Sequence, residues 1–280
     1  MGPDELTGPT PLKAQNATAS PSTPAAIEEK AAPMYTRRFG VVYALLGVAS
    51  VAAIAGLVVA AISGGVIGTS APTWSSWKPS GGGQGAAKQI ADHVAQRYRL
   101  STGAQLVDVI AKAPAVSPAS TVSIPIHYVA IRGTKGQGDR VFSISSSNSI
   151  MYSLCGLGSS CSIATGKPSV ERGTLVRREI LELALYTFKY VGGITSVIAF
   201  MPPALGTQPK YVVYLQKNDV KPQLKSPLDQ TLAPKVPLPA TIPAREVHTV
   251  DAVTESRVYS FSLSQAQQGD AILVLAPLAA

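Results

Sequence analysis

The chain has 280 residues, 46% hydrophobic and only 14% charged, with 24 Gly, 22 Pro and 2 Cys. That balance excludes a chain disordered throughout and a heptad coiled coil, and two cysteines exclude a disulfide-dense scaffold or a four-cysteine zinc site. The net charge of +8 lies wholly in residues 78–280, where 20 basic and 12 acidic side chains are scattered without a run of four Lys/Arg, so no nucleic-acid footprint is expected.

Residues 1–38 balance four basic against four acidic side chains and are rich in Pro, Ala, Thr and Ser. Without apolar periodicity they bury too little surface to offset ordering entropy, so they read as a disordered cytoplasmic tail.

Residues 39–62, FGVVYALLGVASVAAIAGLVVAAI, form a run of 24 without a charge. About 20 suffice to cross the hydrocarbon core as a helix that satisfies its own backbone. Arg37 and Arg38 abut the N-terminal end, whereas the first basic residue beyond the run is Lys78. The positive-inside rule then places the N-terminus in the cytoplasm and the rest outside. A cleaved signal peptide has a shorter apolar core and leader, so an uncleaved, single-pass signal-anchor over 39–67 is expected. Ala52, Gly56 and Ala60 set a small-residue stripe through which two such helices would pair as a homodimer. Residues 68–85 read as a flexible tether, with Trp74 and Trp77 suited to a membrane interface.

Beyond the tether the spacing predicts an α+β domain over 86–217. Apolar residues at 87, 90, 91, 94 and 98 predict a helix. A capping box at Thr102 and Gln105, followed by Leu106, Val109, Ile110 and Ala113, predicts a second one that Pro114 ends. Residues 122–132 and 140–146 read as a hairpin, with a further strand at 150–154. The longest helix is expected at 169–191, stopped by Gly192-Gly193. Its apolar face carries Val176, Ile180 and Leu183, and Arg178, Glu182 and Lys189 are assigned to the solvated face. Strands follow at 194–201 and 211–216. Residues 218–246 form a Pro-rich loop or linker, and 247–280 a C-terminal β-hairpin region. The expected fold is a mostly antiparallel sheet packed by one long helix and a short N-terminal helix pair.

Candidate chemistry is sparse. Cys155 and Cys161, in CGLGSSC, read as a structural disulfide of an exported domain. The hairpin loop GTKGQGD presents Lys135 among glycines, a candidate anion contact, although it leads into a strand rather than a helix. His93, His127 and His248 have no metal-ligand spacing, and no nucleophile elbow is present. Arg177 stands on the apolar half of the long helix and is the candidate partner contact. The stretches KPQLKSP and APKVPLP suit an extended docking segment.

These features predict a membrane-anchored, extracytoplasmic, non-catalytic interaction or assembly module of the cell envelope. Its expected partners are the lipid bilayer and an envelope protein, with no cofactor. An envelope hydrolase or transferase, and a binder of anionic wall polymer or lipid, are the alternatives.

Overall fold

A computed structural model describes residues 73–116, 123–134, 136–266 and 269–278. The apolar run 39–62 lies outside them, and among the described residues no helix is long and apolar enough to cross a membrane. The described residues belong to one compact unit, Thr69–Ala280.

Among the described residues nine strands make one sheet: β1 (Asp108–Lys112), β2 (Ala115–Val116), β3 (Ile124–Ile131), β4 (Arg140–Ser143), β5 (Ser149–Cys155), β6 (Ser196–Phe200), β7 (Tyr211–Gln216), β8 (Val258–Gln265) and β9 (Ala271–Pro277). Their order is β1-β5-β6-β7-β8-β9-β3-β2, with β4 paired to β3. Most pairs are antiparallel, and only β5–β6 and β3–β9 run parallel. The parallel pair β5–β6 needs a crossover connection, which α2 (Val170–Tyr190) supplies. The fold is thus α+β with a mostly antiparallel, nearly barrel-like sheet.

The central strands bury both faces. On β5, Ile150, Tyr152 and Leu154 pack toward the helices while Met151 points into a second core. Val197 and Ala199 against Ile198, and Val213 and Leu215 against Val212 and Tyr214, repeat the alternation on β6 and β7. This is why those strands read as continuous apolar runs. The second core closes because the sheet curls: Phe142 of β4 meets Tyr214 of β7 with ring centroids 5.9 Å apart.

Helix α2 occupies the centre of the first core. Ser169 caps it by accepting a hydrogen bond from the backbone N–H of Arg172 at 3.2 Å, and Gly193 leaves it in the left-handed region at φ 81°. From Thr174 to Phe188 every residue except Arg177 is buried. The sheet covers one side. The other is covered by α1 (Gly83–Ala95), by α5 (Ala244–Thr254) and by the segment that carries the short helices α3 (Lys221–Lys225) and α4 (Leu228–Thr231).

Four expectations are corrected, and the place of the C-terminal hairpin is settled. The N-terminal helix pair is a single helix, because residues 108–112 join the sheet beside β5, with Val109 and Ala111 buried and Ile110 52% exposed. Residues 244–254, divided between the expected Pro-rich loop and the expected hairpin region, are helical, which places His248 on a helix. Arg178 and Glu182 are buried, and of the three residues assigned to the solvated face only Lys189 is exposed. Trp74 packs into the domain, 9% exposed, with Tyr186 edge-on at 5.5 Å and the Lys189 ammonium over its ring. The C-terminal hairpin β8–β9 belongs to the main sheet, bridging β7 and β3.

Candidate functional site

The feature that organises the helical side of the domain is a buried charge network on α2. Arg178 is fully buried and donates in four directions: from Nε to Glu246, from Nη1 to the Tyr98 hydroxyl, from Nη1 to Glu182 Oε2 at 3.2 Å, and from Nη2 to the Ala233 carbonyl at 2.9 Å. The Tyr98 hydroxyl in turn donates to Glu182 Oε2 at 2.7 Å. Arg97 donates to Glu182 Oε1 at 2.6 Å and to the Pro234 carbonyl. The Ala233 N–H closes the circuit on Glu246 Oε2 at 3.4 Å.

Burial alone would lower the Arg178 pKa, but Tyr98, Glu182 and Glu246 overcome it and hold the guanidinium more firmly charged than usual. Burial, then the Glu182 charge, pushes the Tyr98 phenol well up, so it stays a donor. Two cations, Arg97 and Arg178, match two anions, Glu182 and Glu246. Glu179, beside them and 0% exposed, has both carboxyl oxygens buried without a partner. Burial, and then Glu182, raise its pKa well above the ordinary value, which favours the neutral acid.

A cavity of about 520 Å³ opens beside this network, lined among others by Trp74, His93, Arg97, Glu182, Tyr186 and Asp229. It sets a histidine near carboxylates, the raw material of acid–base chemistry. Several of its polar groups are nevertheless engaged with one another, while the Trp74 indole N–H is buried without a partner. Both Glu182 oxygens accept hydrogen bonds from Arg97, Tyr98 and Arg178, and Ser75 pairs with the Tyr186 hydroxyl at 2.7 Å. His93 lies stacked on Trp77 at 3.9 Å, and burial followed by the Arg97 charge lowers its pKa.

Across the Arg97–Pro234 contact lies a groove of about 740 Å³ along the proline segment, lined by Arg97, Arg99 and Lys235 together with Val236, Pro237 and the exposed Leu238. No lining residue is acidic, and among the described residues Arg99 and Lys235 take part in no ion pair. Because Arg178 holds the Ala233 carbonyl and Arg97 the Pro234 carbonyl, this wall of the groove is tied to the core of the domain.

The residues singled out from sequence do not meet at one place. Cys155 and Cys161 form the disulfide, with Cα atoms 4.4 Å apart, and it closes a loop in which a Cβ on Gly156 would lie 2.2 Å from the Ser162 carbonyl oxygen. Arg177 makes a structural pair with Asp251 at 2.8 Å and reaches Thr254 and Thr174. Lys135 lies outside the described residues. In its loop, the Gly133 N–H donates to Asp139 Oδ1 at 2.9 Å, and Arg132 pairs with the same carboxylate at 3.1 Å. His127 sits 3.8 Å from Asp270 at the surface, remote in the fold from His93 and His248, and the described residues hold no group of three or more potential metal ligands. Sequence reasoning missed Tyr98, Arg178, Glu182 and Glu246; the one local signal was the i,i+4 spacing of Arg178 and Glu182.

Comparison with protein-family models, with curated proteins and with solved structures returns no match.

Proposed function

We propose that the chain is a membrane-anchored, extracytoplasmic interaction module of the cell envelope, non-catalytic, whose docking face is the groove along Pro234–Leu238. The observation that carries this reading is the groove itself: two cations outside any ion pair among the described residues, Arg99 and Lys235, beside the apolar Val236, Pro237 and Leu238, with no acidic residue in the lining. Its wall is preorganised by buried charges, which lowers the ordering cost of binding. The complementary partner is an envelope protein that presents acidic residues around an extended apolar segment. The uncharged run at 39–62 supports the anchor, and the Cys155–Cys161 disulfide fits an oxidising compartment. The cavity beside Glu182 supports a structural role better than a catalytic one, since its carboxylate is saturated by donors of the fold.

The test uses the full-length chain in its native cells. A photocrosslinker at Leu238 is expected to give a discrete protein adduct that is lost with the charge reversals Arg99→Glu and Lys235→Glu and retained with Lys217→Glu. Protease added to intact cells is expected to digest residues 78–280. Protection of that region, or an adduct insensitive to the groove reversals, would overturn the reading.

A further inference from the structure

A second cavity lies at the open end of the curled sheet, on a different part of the surface from the proline groove. Its walls are the end of β3 (Ile131), the start of β4 (Arg140, Phe142), the end of β7 (Tyr214, Gln216), Asp219, the turn at Ser256 and Arg257, and Tyr259 of β8. It is a partly open cavity of about 170 Å³.

The inward groups are mostly donors. Arg257 is fixed by Asp219 Oδ1 at 3.0 Å, the Val253 carbonyl at 2.9 Å and Ser256 Oγ at 3.1 Å, which leaves its Nε–H and one Nη2–H uncommitted. Arg140 takes part in no ion pair among the described residues. The Tyr214 hydroxyl accepts from Gln216 Nε2 at 3.3 Å and keeps its own proton to give. Tyr259 is 6% exposed, lines the cavity and makes no side-chain hydrogen bond among the described residues. Asp219 is the single acid; its second oxygen is taken by the Gln216 N–H at 2.7 Å. Arg140 and Arg257 against Asp219 leave one net positive charge.

We propose that this cavity, framed by Arg140, Arg257, Tyr214 and Tyr259, binds a single carboxylate group. A singly charged, planar acceptor matches the one uncompensated cation and the guanidinium fork of Arg140, and its remaining lone pairs meet the two phenol donors. A phosphate dianion would meet the Asp219 carboxylate with half its charge unmatched. The carboxylate belongs to a peptide terminus, an acidic sugar or a small organic acid.

The experiment is arginine modification of the full-length chain in detergent micelles by phenylglyoxal, read at each arginine by peptide mass spectrometry at constant ionic strength. Acetate in excess is expected to slow modification of Arg140 and Arg257 several-fold. Arg132, exposed and paired with Asp139, is the reference whose rate stays unchanged. N-acetylglycine and glucuronate distinguish the sources by which protects at lower concentration. Tyr259→Phe is expected to weaken the protection that acetate gives Arg140, read as the ratio of its rates with and without acetate in the variant. Equal protection of Arg132, no protection of Arg140 by any carboxylate, or stronger protection by phosphate than by acetate would each overturn the proposal; the wild-type chain alone decides these.

Discussion

Arg178 and Glu246 stand 68 residues apart in sequence and form a fully desolvated ion pair at the contact of α2 with α5. Four of the five N–H donors of that guanidinium are engaged by Glu246, Tyr98, Glu182 and Ala233. A buried pair of this kind adds little net stability over a well-packed apolar pair, but breaking it from one side is costly. Its consequence in this fold is positional: it sets the path of the chain from Leu232 to Pro234.

Replacing Arg178 by Met therefore strands the buried Glu246 carboxylate without a cation and leaves Glu182 to Arg97 and Tyr98 alone. Unfolding in urea is expected to lose about 3–5 kcal/mol. Arg178→Lys is expected to recover only part of this, since an ammonium lacks the fork that reaches Glu246, Tyr98 and Ala233 together. The double variant Arg178→Met/Glu246→Leu should be more stable than Arg178→Met alone; if it is less stable, the coupling between the two residues is not what the geometry describes.

Glu179 gives a pH dependence of definite sign. Its folded pKa lies well above the ordinary 4.5, so the folded state holds a proton that the unfolded chain releases. The neutral acid costs nothing below about pH 4.5, and stability falls as pH rises from there toward the folded pKa. Glu179→Gln removes the proton and keeps the shape. The difference in melting temperature between Glu179→Gln and the wild type is expected to widen in favour of the variant from pH 5 to pH 8. A constant difference would contradict the assignment.

The disulfide closes a short loop, so its reduction is expected to cost about 2 kcal/mol through the freed unfolded chain. Gly156→Ala is expected to destabilise the same loop by about 1–3 kcal/mol, because the added Cβ meets the Ser162 backbone. Denaturant titration with and without reductant measures both, and the Gly156→Ala effect should shrink once the loop is reduced.

Arg177 and Arg178 are adjacent and behave oppositely. Arg177 pairs with Asp251 at a partly open site, its side chain 15% exposed, so Arg177→Gln is expected to cost at most about 1 kcal/mol against the several for Arg178→Met. Equal losses at the two positions would contradict the network.

The long helix was legible from its apolar spacing and its glycine stop, and the hairpin 124–143 from alternation around a glycine-rich turn. The disulfide was legible from its spacing. The candidate site was not. Periodicity assigns charges to the solvated face by default, and the partners that permit Arg178 and Glu182 inside come from Tyr98, Ala233 and Glu246, which no local window around α2 contains. The segment 106–113 shows the opposite failure. Leu106, Val109 and Ile110 fit a helix as well as a strand, and only pairing with β5, a tertiary term, decides for the sheet. Residues 247–254 were assigned to the C-terminal hairpin region, yet Glu246, Val250, Val253 and Thr254 recur at helical spacing and are the buried positions.

The account turns on the claim that buried charges hold the proline segment in one place as a preformed docking wall. Amide hydrogen exchange of the peptide covering 232–242, in the wild type and in Glu246→Gln, tests it most directly. Slow exchange in the wild type is expected, with at least about a tenfold acceleration in the variant, a loss of about 1.4 kcal/mol, while α2 and β6 stay unchanged. Exchange at the rate of a free chain in the wild type, or no difference between the two proteins, would contradict it.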